Sequence, residues 1–143
     1  MPEVNNFLFV CVENAGRSQM AEAFANKYGL SAKSAGTVIA QSVNPIVVQA
    51  MKEVGVDISA NRPKVLTAEM INEASQVFTM GCSVEEVCPR PILAKMQKKL
   101  VDWNLPDPKG KPIEDVRAIR DDIERRVKDL VGDSQHRARA SSS

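Results

Sequence analysis

An unbroken apolar, β-prone run, Phe7-Leu8-Phe9-Val10, ends directly on Cys11, and the character of the chain then changes at once to Val12-Glu13-Asn14-Ala15-Gly16-Arg17. The run reads as a buried strand and Ser18 to Tyr28 as a helix, so residues 11–17 form a strand-to-helix loop. At such a junction the first helical N–H groups have no intrahelical acceptor, and the helix dipole adds to them, so the loop attracts an anion. Cys11 stands at the positive end, where a thiol ionises readily and the thiolate is the nucleophile. Arg17 suits a tetrahedral oxyanion, because its planar fork donates two parallel hydrogen bonds to adjacent oxygens. Ser18 is placed to donate its hydroxyl hydrogen to the Cys11 sulfur. Gly16 allows close backbone approach, and Asn14 is expected to brace the loop by bonding to its own backbone. The candidate oxyanion-binding set is Val12, Glu13, Asn14, Ala15, Gly16, Arg17 and Ser18 around Cys11. A carboxylate facing inward would repel the anion, so Glu13 is expected to point to solvent.

The 143 residues suffice for one domain with a single core, read as residues 1–132. Residues 133–143 are polar, lack an apolar period and are expected to be a disordered tail. Lys plus Arg number 19 against 18 Asp plus Glu, and this balance provides no basic field for nucleic acid. The apolar run Phe7 to Val12 is too short to span a membrane and lacks the flanks of a secretory signal, which places the chain in the cytoplasm. Three cysteines, an odd count in such a protein, argue for reactive thiols over a disulfide scaffold. His136 is the only histidine and lies in the polar tail, so no metal and no bound cofactor are expected.

Further along, Ala32 to Ala35 reads as a strand ending at Gly36-Thr37. Asn44-Pro45 starts a helix running to about Val54, with Gly55 as its stop. Thr67 caps a short helix through Asn72, and Gln76 to Met80 reads as a strand ending at Gly81. Ser83-Val84-Glu85-Glu86 matches a capping box, so Cys82 is expected just before a short helix carrying Cys88. A strand over about 99–103 gives way to a turn-rich loop containing Pro106-Asp107-Pro108. Ile113, Val116, Ile119, Ile123, Val127 and Leu130 then step by three or four along a last helix that Gly132 is expected to end. This alternation predicts an α/β fold, a parallel sheet covered on both faces, with the site at the carboxyl ends of the strands.

Cys82 and Cys88, taken alone, read as small buried hydrophobes. Beside the Cys11 loop they also read as a switch, since thiol–disulfide exchange can pass an oxidising equivalent from Cys11 to Cys82 to Cys88. Asp107 is the candidate acid for protonating an oxygen leaving group, although Asp-Pro is equally a common solvated turn.

Together, Cys11-x5-Arg17-Ser18 with Gln19-Met20-Ala21-Glu22, Ser34-Ala35-Gly36-Thr37, the pair Cys82 and Cys88, and Asp107-Pro108 resemble the thioredoxin-coupled arsenate reductases built on the low-molecular-weight protein tyrosine phosphatase fold. The resemblance spans about Phe7 to Val131. It implies a three-layer α/β/α domain with a four-stranded parallel sheet, Cys11 as nucleophile, Arg17 and the loop amides as cradle, and Asp107 as general acid. It also implies that Cys82 and Cys88 relay electrons from an external dithiol, thioredoxin, and that arsenate or phosphate is the oxyanion bound. Three departures stand out: the two relay cysteines are one residue closer than the commonest spacing, Ala15 replaces a serine, and Glu13 is unusual.

Two other functions fit the same loop. A protein tyrosine phosphatase or other phosphate-monoester phosphatase would use Cys11, Arg17 and Asp107. Against it, Lys109 follows Asp107-Pro108 where phosphotyrosine enzymes usually place an aromatic, and a phosphatase has no use for a cysteine relay. A non-catalytic oxyanion or redox sensor is the second alternative.

Overall fold

The computed structural model describes residues 6–80, 100–103, 105–106 and 108–141, without the side chains of 100, 102 and 133–141. The chain runs β1 (Asn6–Cys11), α1 (Arg17–Lys27), β2 (Ser31–Gly36), α2 (Pro45–Glu53), α3 (Ala68–Glu73), β3 (Gln76–Thr79), β4 (Leu100–Asp102) and α4 (Ile113–Ser141). The strands form one sheet in the order β2-β1-β3-β4, all neighbours parallel. This is the α/β architecture expected from the alternating elements. The strand order reverses between β1 and β3, which puts the switch point, where α/β sheets bind their ligands, at the carboxyl end of β1. Cys11 is the last residue of β1.

β1 is buried on both faces, which is why its apolar residues are continuous instead of alternating with polar ones. Phe7 and Phe9 join Phe78 and Trp103 on one face, under Met20 and Phe24 of α1, Val47 and Met51 of α2, and Val116, Ile123 and Val127 of α4. Leu8, Val10 and Val77 face the other way, against Ile71 of α3. Phe9 stacks on Phe78 with ring centroids 5.3 Å apart, and Trp103 lies 4.8 Å from Phe78. Each large apolar side chain buried in this way contributes about 1.5–3 kcal/mol, so the aromatic cluster beneath β1 gives the strand that carries Cys11 a rigid footing.

The helix signals act as expected in their local setting. Asn44 Oδ1 accepts the Ile46 N–H at 3.1 Å with Pro45 in the first turn, and Gly55 follows the α2 cap at φ 81°. Thr67 Oγ1 caps α3 by accepting the Met70 N–H at 3.2 Å. The expected stop at Gly132 is corrected: α4 continues through it to Ser141. A glycine inside a helix costs only about 1 kcal/mol relative to alanine, and no proline follows it to remove a backbone donor. The capping box at Ser83 to Glu86 lies outside the described residues.

Candidate active site

Gly36 lets the loop after β1 fold back on the sheet. It pairs with Cys11 in register, and a Cβ there would lie 2.6 Å from the Val12 carbonyl oxygen and 2.9 Å from the Asn14 nitrogen. Outside the loop, Val38, Ala40 and Asn44 donate their backbone N–H groups to the carbonyls of Val12, Glu13 and Ala15 at 2.9, 3.1 and 2.8 Å. The Asn14 carbonyl accepts instead from Gln19 Nε2 at 3.1 Å. Four consecutive carbonyls therefore face outward, and because each peptide is planar and trans, the N–H groups on the same units face inward. Gly16 supplies no side-chain cap to α1, which keeps the helix end open to an anion.

The Cys11 thiol is buried at the floor, 5% exposed. Its sulfur lies 2.8 Å from Ser18 Oγ and accepts the Asn14 N–H at 3.2 Å. Asn14 stands in the left-handed region at φ 52°. Its Oδ1 accepts the Lys64 N–H at 2.8 Å and Gln19 Nε2 at 3.1 Å, while Nδ2 donates to Ser18 Oγ at 2.7 Å. The Lys64 backbone can only donate there, so the amide orientation is fixed. The Ser18 oxygen accepts from Asn14, which leaves the single Ser18 hydroxyl hydrogen available to a deprotonated Cys11 sulfur. Asn14 thus braces the loop through Ser18, Lys64 and Gln19, a correction to the expected bond to its own backbone.

Arg17, 8% exposed, donates from Nη1 to the carbonyls of Met80 and Leu105, tying the first turn of α1 to the segments that follow β3 and β4. Pro108 docks the third wall: a Cβ on Gly16 would meet its Cγ at 2.9 Å, so the glycine makes room for the proline. The resulting cavity of about 570 Å³ is lined by Cys11, Val12, Glu13, Ala15, Gly16 and Arg17, with Ala40, Ser42, Asn44, Pro108, Lys109 and Gly110 around the mouth. Glu13 does turn toward the rim, where it pairs with Lys109 Nζ at 3.1 Å. Asp107, Cys82 and Cys88 lie outside the described residues.

Behind the loop, Ser34 Oγ and Lys64 Nζ both bond the Glu22 carboxylate, at 3.0 and 3.2 Å. Gln19, fully buried, carries a role that motif reading did not assign. The available signal was a polar side chain among the buried Met20, Ala21, Phe24 and Ala25 of α1. A second cavity, about 180 Å³ and lined by Asn6, Ser31, Lys33, Met70 and Glu73 among others, sits at the opposite, amino end of the strands, and no cysteine lines it.

Residues 6–140 match the family described as Low molecular weight phosphotyrosine protein phosphatase. The chain belongs to this family. Within it, a protein named arsenate reductase from Brevibacillus brevis is 37% identical over 131 residues, covering 90% of this chain and 95% of the relative. A solved structure titled "An arsenate reductase in the phosphate binding state" superposes with TM-score 0.76 at 32% identity, covering 90% of this chain and 98% of the other. The YwlE arginine phosphatase from Geobacillus stearothermophilus superposes with TM-score 0.82 at 28% identity, covering 93% and 94%. Solved structures of two named activities therefore share this chain's fold over nearly its whole length.

Proposed function

We propose that this chain is an arsenate reductase, with the Cys11 thiolate as its nucleophile. The observation that carries the reading is the Cys11 sulfur at the floor of an amide-lined cleft, oriented by Ser18 and Asn14. The relatives named arsenate reductase support this reading over a phosphatase, as do Cys82 and Cys88 in the sequence. Thiolate attack on arsenic forms an S–As bond, and Asp107 protonates the departing oxygen, which leaves as water. Arg17 and the amides of Glu13 to Gly16 hold the remaining oxygens, while Ser18 serves the sulfur.

Cys82 then attacks the Cys11 sulfur. A Cys11–Cys82 disulfide forms, the S–As bond breaks, and its electron pair goes to arsenic, releasing arsenite. Cys88 attacks Cys82 and frees Cys11, and an external dithiol, thioredoxin, reduces the Cys82–Cys88 disulfide. The protein itself needs no bound cofactor for this cycle. Its site of action is the cytoplasm, where thiols stay reduced; among the described residues no helix is long and apolar enough to cross a membrane.

The test is arsenite formation by the wild type and by Cys11→Ser, Cys82→Ser and Cys88→Ser, with and without a thioredoxin system. All three variants lose multiple turnover, and only Cys88→Ser retains one turnover. Full turnover by Cys82→Ser would contradict the relay.

A further inference from the structure

Three of the four outward carbonyls of the loop are held by backbone N–H groups of the segment 38–44, and the fourth, that of Asn14, is held by one side chain. Gln19 Nε2 donates toward Asn14 O and Asn14 Oδ1, both at 3.1 Å, and toward the Arg62 carbonyl at 3.2 Å, while its Oε1 accepts from Asn61 Nδ2 at 3.3 Å. Backbone carbonyls only accept, so the NH2 end of the carboxamide must face the loop. Gln19 is fully buried, and no water can substitute for its two hydrogens without a rearrangement.

The Asn14–Ala15 peptide carries the one of these four carbonyls whose outward direction rests on a side chain. A flip of this peptide would swing the Asn14 carbonyl into the cradle and the Ala15 N–H out of it, replacing a donor to the anion with an acceptor. Neighbouring peptides resist such a flip through ladder-like bonds to Val38, Ala40 and Asn44. At Asn14 the resistance comes from Gln19.

We infer that Gln19 is a positioning residue of the oxyanion site, whose buried carboxamide holds both Asn14 oxygens outward and so keeps the Ala15 N–H aimed at a tetrahedral oxyanion. The inference rests on the reading of residues 11–17 as an oxyanion cradle and not on arsenate being reduced there.

The experiment measures how inorganic phosphate protects Cys11 from iodoacetamide in the intact protein. Gln19→Leu removes the donors at similar volume; Gln19→Met, unbranched and a good helix former, serves the same purpose if the leucine variant fails to fold. Val127→Ala, in the core of α4 and remote from the cleft, matches the loss of stability without touching the loop. The phosphate concentration giving half protection rises about tenfold in the Gln19 variants, as for loss of one hydrogen bond to a charged group, and stays at the wild-type value in Val127→Ala. Wild-type protection in a folded Gln19 variant overturns the inference. A wild type that phosphate does not protect overturns the cradle itself, and the two failures are thereby told apart.

Discussion

The Lys64 N–H and Asn14 Oδ1, 2.8 Å apart, decide the direction of a hydrogen bond that neither of them makes, the one from Asn14 Nδ2 to Ser18 Oγ. Because the amide of Lys64 claims the oxygen of Asn14, the nitrogen faces Ser18, and the hydrogen of Ser18 is left for the Cys11 sulfur. Replacing Asn14 with Asp reverses this polarity at almost constant shape. A carboxylate oxygen then accepts from Ser18, the sulfur loses its hydroxyl donor, and alkylation of Cys11 slows by about tenfold, on the order of one charge-assisted hydrogen bond. Unchanged alkylation in Asn14→Asp would show that Ser18 does not act on the sulfur.

Gly36→Ala places a methyl group 2.6 Å from Val12 O and 2.9 Å from Asn14 N. Both are backbone atoms of the loop after β1, with no flexible side chain to give way, so the loop must move off β2. The expected cost is about 1–3 kcal/mol of stability, typical of overpacking, with loss of most arsenate reduction. Thermal melts and arsenite assays on the same preparation check the two effects together.

At the rim, Lys109 neutralises Glu13 at 3.1 Å. Lys109→Ala leaves a carboxylate facing the entering oxyanion, and kcat/KM for arsenate falls by about threefold, a small factor because exposed pairs are worth roughly 0–1 kcal/mol. Adding Glu13→Gln restores the rate. If the double variant is as slow as Lys109→Ala alone, Lys109 acts by some route other than charge compensation.

Glu53 joins α2 to α4. Arg117 donates to both of its oxygens at 2.9 and 2.7 Å, and Arg120, itself buried, adds a bond at 3.0 Å while also donating to the Ala50 carbonyl. The hydrogen bonds from Arg117 hold the Glu53 carboxyl at about 2, below its ordinary 4.5. A folded-state value below the unfolded one stabilises the fold above about pH 4.5, and the contribution is lost as pH falls toward 2. The melting temperature of Glu53→Gln therefore lies below that of wild type at neutral pH, and the gap narrows on acidification through that window. A gap independent of pH would mean that the carboxylate charge contributes nothing.

Local features that act over a few residues were legible in the sequence. The apolar run into Cys11, the Asn44-Pro45 and Thr67 caps, and the stripe from Val116 to Val127 each fix an element through its own neighbours, and together they give the α/β order. Contacts that depend on distant segments were not legible. Gln19 meets Arg62 and Asn61, and Asn14 meets Lys64, only because β2 brings the strap after Ile58 against the loop; the bridge between Gly36 and Val65 marks that approach. Glu13 was expected at the surface, and the partner that holds it there, Lys109, lies far along the chain. Gly132 misled because a glycine is a weak stop when nothing after it breaks the helix.

In the proposed cycle one oxyanion is reduced at the expense of two thiols of this chain. Titrating the fully reduced protein with arsenate in the absence of any external reductant, and counting arsenite and remaining thiols, tests it. The expected result is one arsenite per chain and a fall from the three thiols of the sequence to about one, as two close into a disulfide. Three thiols retained with no arsenite formed would contradict it.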